Sequence, residues 1–199
     1  MRWVLLILLI LGPIVFNNLF LNSKNTLTAA VNLQPLAEPE VISEFGRTAI
    51  VAEIFSTYPF NHRNFLTLNA GSRHGVAVGQ TVTVNENLLL GQIVEVSDKQ
   101  SVAKTIFDNS WSQAVRIAPT GTDALLVGGQ TPLVTLIDRK AGLVGGEKVY
   151  SASKDFPYGI ELGVLGELVN SQKNSLFEAR LKLNYSLNNV GKAIIFTDN

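Results

Sequence analysis

The sequence predicts an all-β protein, with two small six-stranded β-barrel domains placed after a single N-terminal transmembrane helix. Three observations carry this. An almost unbroken apolar run fills the first twenty or so residues. From Ile50 onward, short aliphatic and β-branched runs alternate with turn-forming residues. No window beyond residue 50 sustains the apolar period of a helix.

The leader comes first. Trp3 to Leu21 reads WVLLILLILGPIVFNNLFL, with Asn17 and Asn18 its polar interruptions. As a helix this stretch rises roughly 28 Å, close to the hydrocarbon thickness of a bilayer. Pro13 is tolerated in such a helix because local adjustment satisfies the freed carbonyl. Arg2 lies on one side and the first basic residue on the other is Lys24, which sets the amino terminus in the cytoplasm. Residues 1–21 are therefore read as an anchor in the cytoplasmic (inner) membrane, single-pass, with the bulk of the chain extracytoplasmic. A cleaved signal peptide ending at Thr28-Ala29-Ala30 is the rival, and it leaves the body on the same side.

Residues 22–46 follow as a tether. The best coiled-coil register runs Leu27, Val31, Gln34, Glu38, Val41, Phe45, with two polar core positions and with Pro35 and Pro39 inside it. Each proline removes a helix hydrogen bond, so a stalk is reduced or absent. A short helix fits Glu40 to Phe45.

The body divides into 47–110 and 111–199, two barrel domains, with the last strand free to return to the first. Expected strands are 50–56, 64–69, 81–84, 88–96, 102–107 and 112–117, followed by 124–127, 133–137, 148–152, 161–169, 176–185 and 192–196. Asn85-Glu86-Asn87 and Ser97-Asp98-Lys99-Gln100 are turns. Closing each sheet on itself removes exposed edges.

Composition excludes several functions. Hydrophobic residues make up 46% and charged residues 16%, and 16 basic residues balance 16 acidic ones. No basic run exists to neutralise phosphates, so no nucleic-acid partner is expected. The absence of cysteine rules out disulfides, thiolate metal sites and Cys nucleophiles.

Glycines at a spacing of four, Gly71, Gly75 and Gly79, punctuate Leu66 to Val82. Glycine adopts positive φ without steric cost, so this stretch reads as a tight connection reversing the chain between strands. Gly91 inside an apolar strand marks a bulge or a sharp bend. Phe156-Pro157-Tyr158-Gly159-Ile160-Glu161-Leu162-Gly163 supplies a second turn, with Pro157, Gly159 and Gly163 as its structural residues.

This ordered set resembles the rod shape-determining protein MreC family. The likeness starts at Val51-Ala52-Glu53-Ile54 and passes through the glycine motif to Leu90-Gly91-Gln92-Ile93-Val94-Glu95-Val96. It continues through Thr105-Ile106-Phe107-Asp108 and Ser112 to Ile117, then Leu125 to Gly129 and Gly146 to Val149, and ends on the Phe156 to Gly163 stretch. The resemblance implies a membrane-anchored periplasmic scaffold with two six-stranded barrels. It implies contacts with MreD, with a class B penicillin-binding protein transpeptidase and with the MreB system, and self-association. No catalytic residue or cofactor belongs to it. Against the family pattern the cytoplasmic tail is essentially absent and the coiled coil is missing or reduced. Ser153 stands where relatives carry glycine. The alternative is a periplasmic adaptor subunit of a membrane transport complex, which would need a helical hairpin that the sequence does not show.

Bond-making chemistry finds no support in the residues. His62, His74, Asp108 and Asp138 are the partners available for a serine triad, but no serine has the flanking residues of an oxyanion turn, and Ser153 and Ser175 lie in lysine-bearing polar stretches. Two histidines without paired carboxylates match no metal spacing. Contact is the remaining chemistry. The aromatic residues Phe55, Tyr58, Phe60, Trp111, Phe156 and Tyr158 are candidate docking anchors, set against the alternative that they plug barrel ends.

Overall fold

A computed structural model describes residues 37–44, 46–55, 64–85, 87–170 and 176–197. The expected anchor and most of the tether lie outside these residues, as do Tyr58, Phe60 and His62. Among the described residues no helix is long and apolar enough to cross a membrane. The backbone there is all-β, relieved by short 3-10 turns at Ser72–His74, Arg139–Ala141 and Leu187–Asn189.

Thirteen strands are formed by the described residues. They are β1 (Glu40–Glu44), β2 (Arg47–Glu53), β3 (Phe65–Leu68), β4 (Thr81–Val84), β5 (Leu88–Val96), β6 (Ser101–Thr105) and β7 (Ser112–Ile117). Then come β8 (Thr122–Val127), β9 (Leu133–Ile137), β10 (Lys148–Ser151), β11 (Glu161–Asn170), β12 (Phe177–Lys182) and β13 (Lys192–Phe196).

Strands β7 to β12 form a closed six-stranded barrel. Pairing runs β7–β8–β9–β12–β11–β10 and back to β7, antiparallel throughout. Period-two alternation decides which side chains enter it. Along β7, Gln113, Val115 and Ile117 are buried while Ser112, Ala114 and Arg116 face out. Leu126, Val134, Val149 and Leu162 fill the interior from the other strands.

Of the seven remaining strands, six pair in the order β2–β13–β4–β5–β6–β3, and β1 pairs with β2. The two ends of that series meet at the Ile54–Leu68 bridge. Asn69 N–H donates to the Glu53 carbonyl at 3.1 Å, and Phe55 N–H to the Thr67 carbonyl at 2.7 Å. Ile50, Leu68, Val82, Leu90, Ile93 and Ile195 form the buried cluster of this set. The last strand, β13, pairs with β2 and β4 here, far from its neighbours in sequence.

The two sets meet along β5. Leu89 belongs to the cluster that fills the barrel and Leu90 to the other cluster, which is why β5 opens on three consecutive leucines. A strand buried on both faces reads as a continuous apolar run. Leu88 pairs in parallel with Glu161, Glu161 N–H donates to the Asn87 carbonyl at 3.1 Å, and the Tyr185 hydroxyl donates to the Leu89 carbonyl at 2.7 Å.

Three expectations need correction. Residues 40–44 form a strand, not the expected short helix. Val41 and Ile42 are β-branched, five residues cannot hold a helix alone, and β2 offers a ladder to pair with. The strand expected over 176–185 stops at Lys182, because Tyr185 turns away to reach Leu89. The glycine connection does not reverse the chain between paired strands. β3 pairs with β6 while β4 pairs with β5 and β13, so the segment crosses between strands that are not neighbours.

Candidate functional site

The glycine motif uses two different physical properties. Gly75 and Gly79 take φ of 89° and 92°, the left-handed region that other residues reach only with strain. Gly71 does not (its φ is −135°). A Cβ there would lie 2.3 Å from the Ser97 carbonyl oxygen and 2.5 Å from the Gln100 nitrogen, so Gly71 is needed for close approach to the turn that joins β5 to β6. His74 closes this corner by accepting the Gly71 N–H on Nδ1 at 3.0 Å. Gly91 likewise lets β5 lie against β6, since an added Cβ would meet the Lys104 carbonyl oxygen at 2.0 Å. The β4–β5 register shifts beside it, as expected for a bulge.

The second turn runs through Pro157-Tyr158-Gly159-Ile160. Gly159 sits at φ 84° and Ile160 N–H points back to the Pro157 carbonyl at 3.5 Å. Positive φ at the third position is the signature of a type II turn. Asn87 Nδ2 donates to the Gly159 carbonyl at 2.9 Å and pins the turn to the neighbouring strand set. Gly163 approaches the Lys182 carbonyl, where a Cβ would come within 2.4 Å.

The candidate docking aromatics separate into two kinds. Tyr158 is 98% exposed, at the second position of the type II turn, and Phe55 is 48% exposed. Trp111 is only 7% exposed and packs on Phe156 with ring centroids 5.8 Å apart. Phe156 itself is half-buried against the barrel core. Trp111 is therefore a core residue. It precedes Gln113, Val115 and Ile117 at the same period-two spacing on the inward face, a parity already present in the sequence. Tyr58 and Phe60 lie outside the described residues.

Two surfaces result. Phe55 faces Thr67 across the β2–β3 junction, which puts it on the same outer face as Phe65, 39% exposed and not singled out from the sequence. Beside Tyr158, a groove of about 710 Å³ is lined by Tyr150, Phe156, Pro119 and Ala152 together with the basic residues Arg116 and Lys154. Arg116 is engaged by Asp123 at 2.9 Å.

The two carboxylates considered for catalysis, Asp108 and Asp138, have structural partners. Asp108 Oδ1 accepts the Ser110 N–H at 2.8 Å and the Ser110 hydroxyl. Lys104 Nζ donates to Ser110 Oγ at 2.6 Å and lies 3.5 Å from the carboxylate. The Ser110 hydroxyl, followed by the Ser110 amide and the Lys104 charge, holds the Asp108 carboxyl below its usual range against the opposing effect of burial. This turn carries the chain from one strand set to the other. Gly128 lies so close to it that a Cβ would be 2.2 Å from the Asp108 carbonyl oxygen. Asp138 caps the Arg139–Ala141 turn by accepting the Lys140 N–H. Among the described residues no group of three metal-ligating side chains occurs.

Asn69 was not singled out from the sequence. Its Oδ1 accepts the Glu53 N–H at 2.7 Å and its Nδ2 donates to the Ala37 carbonyl at 2.7 Å, fixing where the chain joins the body.

Comparison with known proteins adds the following. The family model for the barrel core of rod shape-determining protein MreC matches residues 54–197. No curated protein sequence matches the chain. Among solved structures, MreC from Pseudomonas aeruginosa is 21% identical, with a TM-score of 0.67 over 74% of this chain and 97% of that one. MreC from Listeria monocytogenes is 15% identical, also at 0.67, over 94% of this chain and 90% of that one. MreC from Helicobacter pylori, solved as a complex with the penicillin-binding protein PBP2, is 16% identical at 0.56, over 76% and 98%. At these identities the likeness is one of fold.

Proposed function

The chain belongs to the MreC family, and from that premise we propose that it is a cell-shape scaffold working by protein contact rather than by catalysis. In this reading residues 1–21 anchor it in the inner membrane and the body lies in the periplasm. The six strands β2, β13, β4, β5, β6 and β3 act as a second barrel beside the closed one. The observation that carries the reading is the family match, continuous over residues 54–197.

The scaffold organises or activates the peptidoglycan elongation machinery. A class B penicillin-binding protein transpeptidase is the proposed partner, supported by the Helicobacter pylori complex with PBP2. MreD, the MreB system and a second copy of the chain complete the proposed set. Activation would be a population shift, in which a scaffold that binds the active transpeptidase better than the inactive one enriches it. The hydrogen-bonded junction at Asn87, Glu161 and Tyr185, which ties the two strand sets together, supports that task. Phe55, Phe65 and Tyr158 are the exposed aromatic anchors.

Depletion in the native cell tests the proposal. Rounding, together with co-purification of a class B transpeptidase, is the expected result. Normal rods with defective export would overturn it and favour a transport adaptor.

A further inference from the structure

Among the described residues the outer edge of β1 is unpaired, and backbone parity shows which groups it offers. In β2, even-numbered residues direct their backbone groups to β13. Thr197 N–H donates to the Thr48 carbonyl, and Ile54 N–H donates to the Gly191 carbonyl. Odd-numbered residues face the other way, as Glu53 does towards Asn69. The β1–β2 register pairs Glu40 with Val51, Ile42 with Ala49 and Glu44 with Arg47. Glu40, Ile42 and Glu44 therefore bond to β2, while Val41 and Ser43 direct N–H and C=O outward. Among the described residues no strand pairs with that edge.

Several of the usual protections of an edge are missing from β1, which keeps only its short length and its charged ends, Glu40 and Glu44. β1 contains no proline, no lysine and no bulge, and Val41 is 66% exposed. Its flanking charge is acidic. Glu40 is exposed, and Glu38, whose side chain is 85% exposed, has Arg73 only at 3.8 Å. Charge opposes one register of self-pairing. The antiparallel register that joins Val41 to Ser43 of a second copy sets Glu40 opposite Glu44 at both ends, and like charges directly opposed destabilise a ladder.

The geometry points to β1 as an acceptor for β-strand addition by an extended, lysine- or arginine-bearing segment of another protein. Main-chain bonds to Val41 and Ser43 supply the affinity, and Glu38 and Glu40 supply the preference for basic residues. The inference stands on strand pairing and charge, independently of which partner the scaffold reading supplies.

The test uses the full chain and two synthetic seven-residue probes, one alternating lysine with valine and one alternating glutamate with valine. The lysine probe is expected to bind at least tenfold more tightly at low salt and to slow amide exchange at Val41 and Ser43. Ser43→Pro removes an outward N–H and leaves the bonds to β2 in place, so it should weaken the lysine probe at least tenfold. Glu40→Lys, an exposed change that does not depend on proline being accommodated, should narrow or reverse the preference between probes. Equal binding of both probes, or no effect of either substitution, would overturn the inference. So would slow exchange at Val41 and Ser43 that appears without probe as protein concentration rises, because a second copy would then be the occupant.

Discussion

Replacing Tyr185 with phenylalanine removes a single hydroxyl from the seam between the two strand sets. That hydroxyl donates to the Leu89 carbonyl at 2.7 Å, and Leu89 is fully buried. Burial pushes the phenol above its ordinary pKa, so it is a donor at neutral pH. The ring's edge-on contact with Phe107, at 6.3 Å between centroids, survives the change. What is lost is one neutral hydrogen bond, worth about 1–1.5 kcal/mol net. With a urea dependence of about 2 kcal/mol per molar, the unfolding midpoint should fall by about 0.5–0.75 M. The assay is equilibrium urea unfolding in a Trp3→Phe background, followed by Trp111 fluorescence and by far-ultraviolet circular dichroism. Trp111 reports the closed barrel, and dichroism reports all strands. If the seam couples both sets into one cooperative unit, the two signals shift together. A midpoint change below about 0.1 M, or a shift in dichroism with Trp111 fluorescence unmoved, would refute the reasoning.

Gly91→Ala should cost about 3 kcal/mol or more, because the added methyl meets only backbone of β6; a thermal melt within 2 °C of the parent would contradict this. Trp111→Ala should cost about 3–5 kcal/mol through cavity formation, whereas Tyr158→Ser, at a fully exposed ring, should stay within about 0.5 kcal/mol yet reduce transpeptidase pull-down. Equal stability losses would undo the division between core and docking aromatics. The lowered pKa of Asp108 means its carboxylate stabilises the fold above its unfolded pKa, near 4, and that the contribution disappears as pH falls through the folded value. Asp108→Asn should therefore cost about 1–2 kcal/mol at pH 7 and flatten the loss of stability in acid titration, read by dichroism. An unchanged acid slope would argue against it.

Much of the site was legible one residue at a time. Gly159 had to occupy a left-handed turn position, and a turn of that kind displays its second residue, Tyr158. Trp111 could have been assigned to the core from its spacing to Val115 and Ile117 alone. Phe65 could not, because its outward face becomes a surface only when Phe55 arrives across the β2–β3 junction. Gly71 looked like a third left-handed glycine, and its true constraint, contact with the turn at 97–100, is invisible without the partner segment.

By itself, the sequence determined the all-β class, most strand positions and the family, since alternation and turn chemistry are local and survive in linear order. Only the tertiary structure decided that β1 is a strand, that the glycine segment crosses between non-neighbouring strands, and that β13 pairs with β2 and β4. Those outcomes depend on which backbone edges meet, and edge pairing between segments as distant as residues 50 and 195 is set by which edges are free to pair and by shared burial rather than by either segment's own pattern.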